Sequence, residues 1–266
     1  MASLKTDDVS VADIEEYLEC ESDFAFEMKV LNEFRKLRFI ASHGGTYQDP
    51  ITNKVREFDV RASYELGSFI LSLAIECKNI RNNYPIVANL VKRTESESKI
   101  DYVHFVKDEA IGRLMSCSDK RTLTNVIYVK NDFVAKRIDQ VGRNAKDEIV
   151  SGDSQVFEKL TQALNSSYDL VRSAAWKSDR SFSQVISPWL IIPDERLFGI
   201  AYNDDGTRNG AVHRLDACSW YVDKCWQTSS PLNLKYSISH IEIVSFSCIK
   251  RRVDDFLYAA KNAGLI

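Results

Sequence analysis

The chain has 266 residues, 44% of them hydrophobic and 27% charged, with a formal net charge of -3. That length and apolar content can bury one substantial core, so a single α/β domain spanning residues 1–266 is expected. The slightly acidic balance argues against a protein that coats nucleic acid non-specifically, but leaves room for a local basic cleft.

The opening MASLKTDDVSVADIEEYLE is acidic and lacks an apolar segment, so no secretory signal is expected. No stretch approaches the ~18–20 apolar residues of a membrane span, and no membrane partner is expected. The six cysteines (Cys20, Cys77, Cys117, Cys218, Cys225, Cys248) are then read as reduced thiols of a cytoplasmic protein. Cys218, Cys225, His213 and His240 form no Cys-x-x-Cys pair, which argues against a zinc set.

Val11 to Leu18 reads as a short helix. Ser22 or Asp23 caps a longer one, with Phe26, Val30, Phe34 and Leu37 at helical spacing. Phe39 to Tyr47 reads as a strand, with His43-Gly44-Gly45-Thr46-Tyr47 available either as a loop over a substrate or as a plain turn. Asp49-Pro50 and Asn53 mark a turn, Val55 to Ala62 returns, and Gly67 leads to the strand Phe69–Cys77. Short connections make these three an antiparallel meander. Pro85 opens an expected helix to Leu90, and KRTESESK is expected to be a solvated loop. Val126 to Val129 is apolar but of undefined type. Asn131 or Asp132 caps a further expected helix to about Arg143, with Val134, Ile138 and Val141 as its apolar stripe. Ser154 to Trp176 reads as a long helix. Val185–Ile192, Leu197–Tyr202, Ser219–Trp226 and Ile238–Ile249 read as strands that join the early sheet, with a turn at Asn203–Gly206. A last helix, Val253–Ala263, ends at Gly264. Trp176, Trp189, Trp220 and Trp226 are assigned to core or interface.

The chemistry concentrates at the end of the third strand. Because side chains alternate along a strand, Glu76 and Lys78 share a face, where small residues (Ser72, Ala74) leave room beneath them. On the preceding strand Asp59 can join them, placing two carboxylates and an ammonium around one point. Such a group can hold a divalent metal and steer water at a phosphate; a cross-strand salt bridge would use the same residues. The triplet alone is a weak signal. Glu27-Met28-Lys29 lies in a helix, Glu97-Ser98-Lys99 in a polar run, and only Glu76-Cys77-Lys78 ends an apolar strand.

An aspartate, then Glu-x-Lys on the next strand, preceded by a helix bearing a glutamate, resembles the PD-(D/E)xK nuclease superfamily, nearest to Mrr-type restriction nucleases. The likeness covers about Ser22 to Asn79, with Phe58 where the family name places proline. It implies a restriction-endonuclease-like core: a helix, a three-stranded meander, a helix and a further strand in a mixed sheet flanked by helices. It implies a Mg²⁺- or Mn²⁺-dependent endonuclease of restriction or anti-phage defence type acting on DNA. In that reading Asp59 and Glu76 are metal ligands with the Cys77 carbonyl, Lys78 is the catalytic lysine, and Glu27 (with Glu33 as competitor) is the first-helix acid. Lys136, Gln140 and Arg143, at i, i+4 and i+7, form the best basic stripe for a phosphate backbone, or else a solvated helix face. Lys92 and Arg93 are secondary candidates. A homodimer or a partner subunit that recognises the target would suit cutting of two strands. The alternative is a non-catalytic, nuclease-like nucleic-acid-binding or scaffold subunit.

Overall fold

The structure is a computed structural model that describes residues 8–20, 22–108, 113–122, 126–152, 154–177, 181–227 and 234–266. Helix α1 (Val11–Cys20) precedes α2 (Phe24–Lys36), which turns Val30, Leu31 and Phe34 inward at helical spacing. Strands β1 (Ile40–Gln48), β2 (Val55–Leu66) and β3 (Phe69–Cys77) form the expected antiparallel meander. Its first turn is held by Asp49 Oδ1, which accepts from the N–H groups of Ile51 and Thr52. Its second uses Gly67 at φ 60°.

The long helix α3 (Ser154–Lys177) follows, and then β9 (Phe182–Ile192), which pairs parallel to β3 with Ile75 opposite Trp189. Every residue of β9 is buried, as expected of a central parallel strand covered on both faces. Trp189 and Ile191 point into one layer, formed by α2 and α4 (Ile249–Asn262). Leu190 and Ile192 point into the other, against Val156 and Leu160 of α3. Strand β13 (Lys235–Ser245) lies parallel to β9 on its far side. The result is an α/β arrangement with helices on both faces of a large mixed sheet, built by short connections within the meander and a helical crossover to β9. Among the described residues no helix is long and apolar enough to cross a membrane.

Between β3 and α3 the sequence expectations fail. Pro85–Leu90 is not helical: Ile86–Lys92 is strand β4. Asn131–Arg143 is not helical either: Phe133–Arg143 is strand β7, antiparallel to β4. The 4-and-3 spacing of Val134, Ile138 and Val141 mimics a helix. In β7 a register shift falls between the pairs Asn89–Arg137 and Leu90–Ala135, leaving Lys136 as the extra residue and changing which face follows. A hairpin of β5 (Lys99–Asp108) and β6 (Arg113–Thr122) and the short β8 (Ile149–Gly152) complete this insertion. Later, β10 (Leu197–Tyr202), β11 (Arg208–Arg214) and β12 (Ala217–Gln227) extend the sheet to 13 strands among the described residues. The Asn203–Gly206 turn forms, with Gly206 at φ 81°, whereas Ile249 begins α4 rather than ending a strand. Cys77, Cys117, Cys218, Cys225 and Cys248 are free thiols. The side chains of Cys20 and Trp176 lie outside the described residues.

The loop expected to be solvated instead enters a buried polar network, with Arg93, Glu97 and Ser98 all buried. Glu242 accepts from Tyr128 Oη, Ser219 Oγ and the Arg252 guanidinium, tying β13 to α4. Arg93 Nη1 donates to His240 Nε2, and the Tyr128 ring stacks on His240 at 3.9 Å. Arg93 is therefore structural, not a phosphate contact. Burial, with Arg93, Arg252 and Lys136 beside it, holds His240 well below the usual histidine range. A depressed histidine stabilises the fold above its unfolded value near 6.5, and that contribution is lost as pH falls below it. The urea midpoint of the protein is expected to drop as pH is lowered from about 6.5 to about 5, at up to ~1.4 kcal/mol per unit. His240→Gln should flatten that drop, and an unchanged slope would rule out this origin.

Candidate functional site

Asp59 on β2 and Glu76 on β3 sit side by side, because the register that pairs Val60 with Ile75 extends one step to them. Asp59 is mostly buried and Glu76 almost wholly so, at 1% exposure. Two carboxylates this close in a poorly solvated site repel each other unless a cation intervenes. The cation here is Lys159 on α3, whose Nζ lies 2.6 Å from Asp59 Oδ2 and 3.0 Å from Glu76 Oε2. Burial and then Asp59 push the Glu76 carboxyl well above its usual range. Burial would lower the Lys159 ammonium, but Glu76 and Asp59 together hold it above the ordinary lysine value. When both carboxyls are ionised, one ammonium facing them leaves a deficit of positive charge. Glu76 Oε1, buried and without a hydrogen-bond partner among the described residues, marks where it falls.

The surrounding backbone fixes these groups. Asp59 Oδ2 also accepts from the Cys77 N–H at 2.7 Å, stitching the ends of β2 and β3 together. Glu27, in the first turn of α2, meets His43 Nε2 at 2.7 Å, and the edge of Phe24 packs on that imidazole. Burial, then the Asp59 charge, raise the Glu27 carboxyl, so Glu27 belongs to this electrostatic group. Glu33, its competitor, pairs instead with Lys36. His43 is not in a loop over the site: residues 43–47 are part of β1. Gly45 suits that position, since a Cβ there would press into the Phe58 ring.

Lys78 is not the cation between the carboxylates. Its Nζ lies 2.9 Å from Asp23 Oδ2, while Asp23 Oδ1 accepts from the Asn79 N–H. Of the two expected caps of α2, Ser22 Oγ accepts from the Phe24 N–H, while Asp23 makes no side-chain cap and spends its carboxylate on the chain leaving β3. On its other side Lys78 borders a cleft of about 350 Å³ lined by Asn79, Arg81, Tyr84, Gln140, Arg143 and Gln155. Gln155 is one helical turn before Lys159 on α3, so the cleft adjoins the carboxylates along one helix face. Tyr84 fits its wall because Gly142 and Gly152 have no side chain; a Cβ on either would lie within 2.6 Å of the ring or its hydroxyl.

The basic stripe expected on a helix is thus redistributed along a strand. Gln140 and Arg143 reach the cleft, with Gln140 Nε2 donating to the Tyr84 carbonyl and Arg143 also paired with Asp147. Lys136 does not, because it pairs with Glu97 and lies over the Tyr221 ring. Lys159 was missed by sequence reasoning. Its one sequence signal is its place beside the Val156, Leu160, Ala163 stripe, at the margin of the face that α3 buries.

Hard carboxylate oxygens, one of them orphaned and buried, suit a divalent cation such as Mg²⁺, which keeps most of its water and needs only one or two protein carboxylates. No group of three or more His, Cys, Asp or Glu placed to hold a metal occurs among the described residues, which disfavours a fully protein-ligated zinc or calcium site. Comparisons with protein families, with curated proteins and with solved structures return no match.

The coupling at this site is directly measurable. Lys159→Met is expected to destabilise the metal-free protein by ~1–3 kcal/mol, because it leaves Glu76 and Asp59 uncompensated. The double variant Lys159→Met/Glu76→Gln should recover at least half of that loss in urea titrations. Simple additivity of the two substitutions would contradict the geometry described.

Proposed function

We propose that the chain is a divalent-metal-dependent phosphodiesterase, an endonuclease acting on DNA, of restriction or defence type. The observation that carries this reading is the paired, buried Asp59 and Glu76, held by a single ammonium, with Glu76 two positions before Lys78, which borders a cleft also lined by Arg81 and Arg143. The order α2, β1–β2–β3, α3, β9, with β9 parallel to β3, supports the restriction-endonuclease-like core implied by the sequence resemblance.

In this reading Asp59, Glu76 and the Cys77 carbonyl hold Mg²⁺ or Mn²⁺. When bound, the ion supplies an acidified water and neutralises charge on a phosphoryl oxygen. The chain's own groups do the rest. The Glu27–His43 pair stands beside Asp59 and is placed to order water. Lys78, fixed by Asp23, presents a compact ammonium at the cleft, where it favours an anionic, phosphate-bearing ligand. Arg143 and Arg81, with Gln140 and Gln155, make a polar wall that a phosphate backbone can follow. The amino-terminal turn of α3 adds its positive dipole end on the same side.

One feature favours the second reading, a non-catalytic nucleic-acid-binding subunit: Lys159 already half-neutralises the carboxylates, as a static salt bridge would. Incubation of supercoiled, linear and single-stranded DNA with Mg²⁺ or Mn²⁺ decides between them. Cleavage is expected for the unaltered chain and a loss of about a hundredfold or more for Asp59→Asn and Glu76→Gln. DNA binding without cleavage under either metal would select the second reading, and neither binding nor cleavage would reject both. Arg143→Ala should weaken DNA binding and lower the slope of log affinity against log salt by about one if it meets a phosphate.

A further inference from the structure

Two lysines approach this region, and they are held differently. Lys78 has a carboxylate of its own, Asp23, outside the Asp59–Glu76 pair. Among the described residues Lys159 pairs with Asp59 and Glu76 themselves, its Nζ bridging one oxygen of each. It therefore stands where a cation shared by those two carboxylates has to stand. With Lys159 in place and both carboxyls ionised the trio carries one net negative charge, and Glu76 Oε1 has no hydrogen-bond partner among the described residues. A divalent ion in the same place would bring two positive charges and balance both carboxylates. Both cannot sit there together, since like charges a few ångströms apart in a shielded site repel strongly.

Granted the divalent-ion reading above, on which this rests, we infer that Lys159 is a resident counter-ion that competes with the metal for the space between Asp59 and Glu76. On metal binding it is displaced toward the cleft lined by Gln155, where it becomes the ammonium that meets the phosphodiester. The side chain is suited to the exchange. It springs from a helix packed firmly on the sheet, so its Cα stays fixed while four methylenes let the ammonium swing. Gln155 lies one turn back along the same helix face, so the ammonium need only tilt toward the start of α3 to reach the cleft. In the metal-free protein the same contacts keep two adjacent carboxylates from forcing β2 and β3 apart. Lys159 is thus a placeholder without metal and a substrate contact with it.

Calorimetric titration with Mn²⁺ alone tests this without relying on turnover. Lys159→Met removes the competitor, so Mn²⁺ should bind roughly tenfold more tightly than to the unaltered protein, while DNA cleavage is lost. Lys159→Arg keeps the charge and should bind no more tightly than the unaltered protein. In the unaltered protein, Mg²⁺ should raise the rate at which Lys159 is acetylated, read by peptide mass spectrometry, by several-fold relative to the exposed Lys36. This arm needs no variant and stands if Lys159→Met does not fold. Unchanged or weaker Mn²⁺ binding by folded Lys159→Met, equal tightening in Lys159→Arg, or Mg²⁺ protection of Lys159 would each overturn the displacement while leaving the metal site itself intact. No Mn²⁺ binding by any form, including the unaltered protein, would overturn both.

Discussion

The shared hold of one ammonium on two neighbouring carboxylates governs how this molecule is put together around its site. Asp59 and Glu76 lie on adjacent strands of a tight meander, and their separation is set by backbone pairing, not by side-chain choice. Such a pair is tolerated in a shielded position only because α3 lays Lys159 across it. Sheet register, helix docking and local charge are therefore one problem with one solution. One oxygen of Glu76 is left without a hydrogen-bond partner among the described residues.

The sheet supplies the rigidity this demands. β3 and β9 are buried on both faces and clamped between two helical layers, so the ends of these strands cannot drift. The insertion between β3 and α3 adds strands and with them most of the cleft wall: Tyr84, Gln140, Gly142 and Arg143 all come from it. The paired acids and the cleft wall thus have separate origins in the chain. The meander holds the acids, and the inserted strands shape what can approach them.

This division also decides what could be read in the sequence. α2 and β1–β3 were legible because their connections are short, their turns carry Asp-Pro, Asn and Gly, and their periods are unbroken. β4 and β7 were not, because the bulge at Lys136 interrupts strand alternation and leaves Val134, Ile138 and Val141 at intervals that suit a helix. The closeness of Asp59, Glu76 and Glu27 was legible in the sequence, since all lie within one local supersecondary unit. Lys78 was placed correctly along the chain but given the wrong partner: nothing local announces that Asp23 would turn from its own helix to the strand end. Lys159 was invisible for a plainer reason. It is 83 positions from Glu76, and a lysine on an amphipathic helix looks like any other solvated charge.

That separation has a consequence for biosynthesis. At roughly 5–20 residues per second, the ribosome releases the acidic half of the centre about 4–17 s before the helix that compensates it. Throughout that interval the nascent hairpins carry mutual repulsion at their tips and lack the parallel neighbour that completes their hydrogen bonding. Contacts of such high sequence separation form late in folding. A truncated or stalled chain is therefore left with its acids unshielded and its sheet unfinished, and only a product translated beyond α3 acquires the electrostatic balance on which any chemistry here depends.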